Sequence, residues 1–149
     1  MTKRVLLVED DLALRPFWEL ILKRQFNDYH LDWALSCEDA QRLITSSVKF
    51  DAPYSLIVTD LILAGSGTGA DLVEFIGSNQ KHTPLLLVSS TSEETIRGRY
   101  QDLVKNILVI EKPLSVAKCE KVFEKYFNID LEITSPRIEL WVGKPTRSS

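Results

Sequence analysis

The stretch "RVLLVEDD", residues 4–11, predicts a buried strand that ends in a cluster of acidic residues. A short apolar run suited to a buried strand leads directly into three carboxylates, Glu9, Asp10 and Asp11. Like charges repel one another, and each costs free energy when it loses water. A cluster of this kind at the end of a strand therefore either stays in water or surrounds a cation.

Apolar runs of the same kind recur along the chain, and stretches with helical spacing separate them. The predicted strands cover residues 5–8, 31–35, 56–59, 85–88 and 107–110. Helices are predicted from Leu14, after Ser36, over 70–76 with Gly77 as the stop, over 92–104, and from Ser115 to about Phe127. Runs without polar alternation suit strands that are covered on both faces. The pattern therefore predicts an α/β fold, a doubly wound parallel sheet of five β-α units.

Length and composition limit the classes of function. The chain has 149 residues, 44% hydrophobic and 26% charged, as expected for one soluble globular domain. Its net charge is −3 and it has no basic run, so we expect no direct DNA binding. No signal peptide and no membrane-spanning run is recognisable, which predicts a cytoplasmic protein without a membrane partner. Cys37 and Cys119 fit no metal spacing and are predicted to be reduced core residues.

The C-terminal segment changes character. We predict a principal domain over residues 1–127 and a C-terminal extension over 128–149. Apolar and polar residues alternate around Leu131 and again around Leu140, with a proline at Pro136 between them. This pattern predicts two short strand-like arms, followed by a disordered end.

Chemically active side chains follow four of the predicted strands. They are Glu9 with Asp10, Asp60, Ser89 and Lys112. The carboxyl ends of parallel strands open on one edge of the sheet, so we expect these groups to share one cleft. Oxygen ligands without His or Cys favour Mg²⁺, and a carboxylate beside a metal, a hydroxyl and an ammonium suits phosphoryl transfer.

Over residues 3–127 the sequence resembles the receiver domain of two-component response regulators. The matching motifs are "LLVEDD", "LIVTDLIL", "PLLLVSS" and "EKP", which occur in the family's order and at close to its spacing. The resemblance implies a flavodoxin-like (βα)5 fold with strand order 2-1-3-4-5. It also implies a phosphoacceptor signalling domain rather than an enzyme, with a histidine kinase or phosphotransfer protein as the donor.

The resemblance assigns roles by position. Asp60 is implied to be the phosphoacceptor, Lys112 the ammonium that binds the phosphoryl oxygen, and Ser89 the switch hydroxyl. The implied Mg²⁺ ligands are Glu9, Asp10, Asp60 and the backbone carbonyl of Ile62. Pro113 is implied to follow a cis peptide bond.

Departures from the family pattern lead to further expectations. Val109 stands where the family usually has an aromatic residue, and the loop after Asp60 is longer and rich in glycine. Ile62 is apolar at a position that tunes hydrolysis in the family, which predicts slow self-dephosphorylation. The output is expected through contact with a protein partner whose identity is unknown, and a homodimer through the C-terminal extension is a hypothesis.

Two other functions stay open on the sequence. A pseudo-receiver, an interaction module without phosphorylation, is suggested by Val109 and by the unusual loop. A Mg²⁺-dependent phosphatase of similar layout is weaker, because it needs an aspartate where this chain has Ile62.

Overall fold

The computed structural model describes residues 2–61 and 68–146, with side chains described as far as residue 131. Its strands are β1 (Lys3–Val8), β2 (Tyr29–Ala34), β3 (Leu56–Asp60), β4 (Leu85–Ser89) and β5 (Ile107–Glu111). Its helices are α1 (Arg15–Gln25), α2 (Cys37–Lys49), α3 (Gly69–Asn79), α4 (Glu93–Tyr100) and α5 (Val116–Thr146). Within the described part of the chain, no helix is both long enough and apolar enough to cross a bilayer.

All five strands pair in parallel in the order β2-β1-β3-β4-β5, which confirms the predicted topology. Each strand corresponds to a predicted apolar run, with bounds that differ by one or two residues at an end. The central strands β3 and β4 are buried along their whole length, because helices cover both faces of the sheet.

The core has two layers, one on each face of the sheet. Helices α2, α3 and α4 cover one face, with Ile44, Ile76 and Ile96 fully buried. Helices α1 and α5 cover the other face, with Trp18 and Phe123 almost completely buried. Cys37 and Cys119 are free and buried in these two layers, as predicted.

Side-chain caps fix where several helices begin. The hydroxyls of Ser36, Thr68 and Ser92 accept hydrogen bonds from backbone N–H groups in the first turns of α2, α3 and α4. The predicted starts of α2 and α4 are therefore confirmed. Helix α4 ends at Tyr100 rather than at Val104, and residues 101–103 form a turn.

The predicted strand-like arms of the C-terminal extension are wrong. Helix α5 continues through residues 128–146 instead, including the first four residues of the predicted disordered end. The apolar positions 131 and 138, like 133 and 140, lie seven residues apart, which also suits one face of a helix. Near the start of the extension, Lys3 Nζ contacts Asp130 Oδ2 at 2.7 Å, which ties α5 to the beginning of β1.

Gly77 does not end α3, as its residue type had suggested, because the helix continues to Asn79. The glycine is required by packing: a Cβ atom on Gly77 would lie 2.4 Å from the carbonyl oxygen of Leu103. Gly98, in α4, has nothing within 4 Å of its ideal Cβ position.

We expect Gly77→Ala to lower the free energy of unfolding by roughly 1–3 kcal/mol, because the new methyl group forces backbone apart. Gly98→Ala is the matched control and should raise it by up to about 1 kcal/mol, since only helix propensity changes. Urea unfolding of both variants measures the two values. Equal effects in the two variants would contradict the close approach of α3 to Leu103.

Candidate functional site

Asp60 and Lys112 form an ion pair at the carboxyl edge of the sheet. Asp60 is the last residue of β3 and only 7% exposed, and Lys112 directly follows β5. The Lys112 Nζ atom lies 2.7 Å from Asp60 Oδ2. The peptide bond between Lys112 and Pro113 is cis, as the resemblance implied. The structure thus brings together the two residues that the sequence placed at the centre of the site.

Ser89 lies between these two residues in the sheet, at the end of β4. Its side chain is buried, and its Oγ atom accepts a hydrogen bond of 2.8 Å from the Thr91 N–H. The Ser89 carbonyl oxygen accepts a second bond, also 2.8 Å, from the Lys112 N–H. Strand pairing therefore places the backbones of Ser89 and Lys112 side by side at this edge.

The acidic residues after β1 have three different environments. Glu9 is buried, and its carboxylate accepts a hydrogen bond of 2.9 Å from the Asp11 N–H. Asp10 is exposed. Asp11 accepts a hydrogen bond of 3.0 Å from the Ala13 N–H and so caps the short 3₁₀ turn (Leu12–Leu14) that precedes α1.

Burial is the main cause that raises the pKa of Glu9 from 4.5 to about 7. The Asp11 hydrogen bond lowers this pKa, and the carboxylates of Asp10 and Asp60 raise it. The folded metal-free protein therefore holds a proton on Glu9 more tightly than the unfolded chain does. Protonation stabilises this fold fully below pH 4.5, and the contribution is lost as the pH rises through about 7. A cation beside Glu9 would offset the free-energy cost of ionising this buried carboxyl group.

The donor set fits a hard cation by its chemistry. Glu9, Asp10 and Asp60 offer only oxygen ligands, and Mg²⁺ needs only one or two carboxylates because it retains several waters. In the described residues, no group of three or more His, Cys, Asp or Glu side chains is arranged to hold a metal. Ile62, whose carbonyl is the fourth implied ligand, lies outside the described residues.

Two neighbours of Lys112 were missed by the sequence reasoning. The Glu111 carboxylate accepts a hydrogen bond of 3.0 Å from the Glu93 N–H at the start of α4. Lys118 Nζ donates to the carbonyl oxygens of Glu111 and Pro113 at 3.1 and 2.9 Å. The available signal was the position of Glu111, a carboxylate at the end of the strand beside the start of a helix.

No protein-family model matches the chain. A search of curated proteins also finds no match. Similarity is found among solved structures, and it covers most of the chain in each case.

A signal receiver domain from Vibrio parahaemolyticus is 24% identical, with a TM-score of 0.69 over 89% of this chain and 95% of its own. The HemR receiver domain from Leptospira biflexa is 28% identical, with a TM-score of 0.64 over 83% of this chain and 93% of its own. The receiver domain of a sensor histidine kinase from Pseudomonas aeruginosa is 18% identical, with a TM-score of 0.66 over 86% of this chain and 99% of its own. That last structure has a magnesium ion coordinated in its active-site cleft.

The five parallel strands of this chain, in the order 2-1-3-4-5, form the CheY-like flavodoxin fold. The comparisons agree with the motifs at the strand ends, which resemble those of the same family. The chain therefore has the fold of a receiver domain, of the kind found in response regulators.

Proposed function

We propose that this receiver domain accepts a phosphoryl group on Asp60 from a histidine kinase or phosphotransfer protein and relays the change to a protein partner. The observation that carries the proposal is the ion pair of Asp60 and Lys112, 2.7 Å apart at the carboxyl edge of the sheet. Ser89 ends the strand between them. The three residues supply a nucleophile, an ammonium and a hydroxyl, the groups that phosphoryl transfer uses.

Each residue has a defined part in the transfer. A carboxylate oxygen of Asp60 attacks phosphorus, the bond from phosphorus to the donor nitrogen breaks, and the donor imidazole leaves as the acyl phosphate forms. Lys112 moves from Asp60 Oδ2 to a phosphoryl oxygen and neutralises its charge. The Ser89 hydroxyl donates to another phosphoryl oxygen, since a hydroxyl has one donor.

Mg²⁺ is the cofactor that this carboxylate set favours. Glu9, Asp10 and Asp60 would hold it, together with the Ile62 carbonyl. When bound, the ion supplies positive charge that offsets the charge of the carboxylates and of the phosphoryl oxygens.

The output is proposed to be contact with a protein partner, without direct DNA binding, in the cytoplasm. The surface formed by α4, β5 and α5 is the candidate contact face. It contains a groove of about 340 Å³ whose lining includes Val109, Val122, Lys121 and Lys125. A homodimer through the C-terminal extension stays a hypothesis, although its edge-strand version no longer applies because the segment is helical.

A pseudo-receiver is the second candidate function, and Val109 is the observation that favours it. Val109 has no aromatic ring that could rotate between two positions. Its side chain is only 6% exposed and packs in the core. A measurement of phosphoryl uptake distinguishes a phosphorylated receiver from a pseudo-receiver.

We expect the intact mass of the protein to increase by one phosphoryl group after incubation with acetyl phosphate and Mg²⁺. Asp60→Asn should show no increase, because the amide is not a nucleophile toward phosphorus. Lys112→Gln should take up the group more slowly by roughly 10²-fold or more, through loss of charge stabilisation. An absence of uptake by the folded wild-type protein would leave the pseudo-receiver as the function.

The acyl phosphate is expected to persist for minutes or longer once the donor is removed, because an apolar residue, Ile62, lies two positions after Asp60. Repeated mass measurements after rapid desalting give its lifetime. Loss of the group within seconds would contradict this expectation.

The affinity for Mg²⁺ is expected to rise about tenfold between about pH 6 and about pH 8, because Glu9 must lose its proton to bind a cation. The raised pKa of Glu9, about 7, places the change in this range. Isothermal titration calorimetry measures it. Glu9→Gln should bind Mg²⁺ weakly and without this pH dependence.

Asp11→Asn is the matched control for the calorimetry. It removes a neighbouring charge that is exposed and occupied as a cap, so the pH dependence should persist. A wild-type affinity that does not change with pH would overturn the assignment of Glu9.

A further inference from the structure

Glu111 links the candidate phosphoryl site to the start of α4. It is the last residue of β5 and directly precedes Lys112, whose ammonium is paired with Asp60. Its carboxylate accepts a hydrogen bond from the Glu93 N–H, the first residue of α4, at 3.0 Å. One dipeptide therefore contacts the phosphoacceptor through one side chain and a helix through the other.

The backbone between these two side chains is held on both sides. The Lys112 N–H donates to the Ser89 carbonyl oxygen at 2.8 Å, and Lys118 Nζ binds the carbonyl oxygens of Glu111 and Pro113. These hydrogen bonds fix the backbone of Glu111 and Lys112, so the Glu111 carboxylate is held one residue from the Lys112 ammonium. A change in the position of that positive charge alters the electrostatic environment of the carboxylate.

A second link reaches the same helix from β4. Ser89 Oγ accepts from the Thr91 N–H at 2.8 Å, and Thr91 directly precedes Ser92, the cap of α4. A hydroxyl that turns to donate to a phosphoryl oxygen changes the direction of its lone pairs. Both groups expected to bind the phosphoryl group, Ser89 and Lys112, are thus connected to the first turn of α4.

Val109 favours this route over a side-chain rotation within β5. It points into the core layer that contains Ile96 and Tyr100 of α4, and its β-branched side chain has little rotamer freedom. A large side-chain rotation at this position cannot carry a signal to the surface. Hydrogen bonds at the first turn of α4 are the connection that the described residues provide.

We propose that Glu111 is a positioning residue that couples the ion pair of Asp60 and Lys112 to the first turn of α4. When Lys112 leaves Asp60 for a phosphoryl oxygen, the hydrogen bond from Glu111 to the Glu93 N–H changes, and α4 reports the state of Asp60. The inference rests on the proposed function for its trigger, but the coupling itself is a property of the unphosphorylated protein.

A double-mutant cycle read at one backbone amide tests the coupling without any phosphoryl group. Hydrogen exchange of the Glu93 amide is measured by NMR in the wild type, Lys112→Gln, Glu111→Ala and the double variant. We expect Lys112→Gln to change this exchange rate by about threefold or more when Glu111 is present, and to leave it unchanged when residue 111 is alanine. The same effect of Lys112→Gln in both backgrounds, or none in either, would overturn the proposal.

Glu94→Ala is the matched control. It removes another exposed carboxylate from the first turn of α4, and no described contact to β5 depends on it. Lys112→Gln should still change the Glu93 exchange rate in this background. Should Glu111→Ala unfold the protein, Glu111→Met replaces it, because its side chain has a similar length but no oxygen acceptor for the Glu93 N–H. Lys112→Gln should then leave the Glu93 exchange rate unchanged, and a full wild-type effect overturns the coupling.

A second arm uses the phosphorylated protein. Glu111→Ala should take up the phosphoryl group on Asp60 as the wild type does, since no described contact joins Glu111 to the acceptor, but the response of the Glu93 amide to uptake should be reduced, because only the link through Ser89 and Thr91 remains. A normal α4 response in Glu111→Ala would overturn the proposal. Failure of the wild type to take up the group would instead refute the proposed function. The double-mutant cycle of Lys112 and Glu111 would then still test the coupling.

Discussion

Parallel pairing of the strands is the constraint on which the rest of the structure depends. The register aligns Asp60 with Val88 and Ser89 with Glu111, so that residues far apart in sequence end at the same edge. Parallel strands require crossover helices, and these helices cover both faces of the sheet. The edge is then the main place where the central strands leave polar groups accessible to a ligand, which is why the functional groups collect there.

The negative and positive charges at this edge of the sheet are unequal in number. Asp60 is almost buried and has one ammonium, from Lys112, at 2.7 Å. Glu9, buried nearby, has a raised pKa because burial and the other carboxylates disfavour its charge. Among the described residues this edge carries more carboxylates than ammonium groups, a condition that favours a bound cation.

The positions of the candidate site residues at the strand ends were predictable because each of them follows a buried apolar run. Asp60, Ser89 and Lys112 could be placed from the strand pattern alone, since a parallel sheet brings such positions together. The caps at Ser36 and Ser92 were predictable for a similar reason, because capping depends on residues three positions away.

The remaining features depend on contacts between distant parts of the chain. Gly77 looked like a helix stop, but its role comes from the backbone of Leu103. Glu111 looked like an ordinary surface acid until β5 and α4 were placed side by side. The C-terminal extension has a pattern compatible with both strand and helix, so the sequence could not decide between them. Ile62 lies outside the described residues, so its part in metal binding stays a proposal.

A crystal structure of the protein with Mg²⁺ and beryllofluoride, a stable mimic of a phosphoryl group, tests the role of Asp60 directly. We expect beryllofluoride bonded to Asp60, with Lys112 Nζ moved from Asp60 Oδ2 to a fluorine and the Ser89 hydroxyl turned toward another. Beryllofluoride bound away from Asp60, or an ion pair of Asp60 and Lys112 left intact under saturating ligand, would contradict that role.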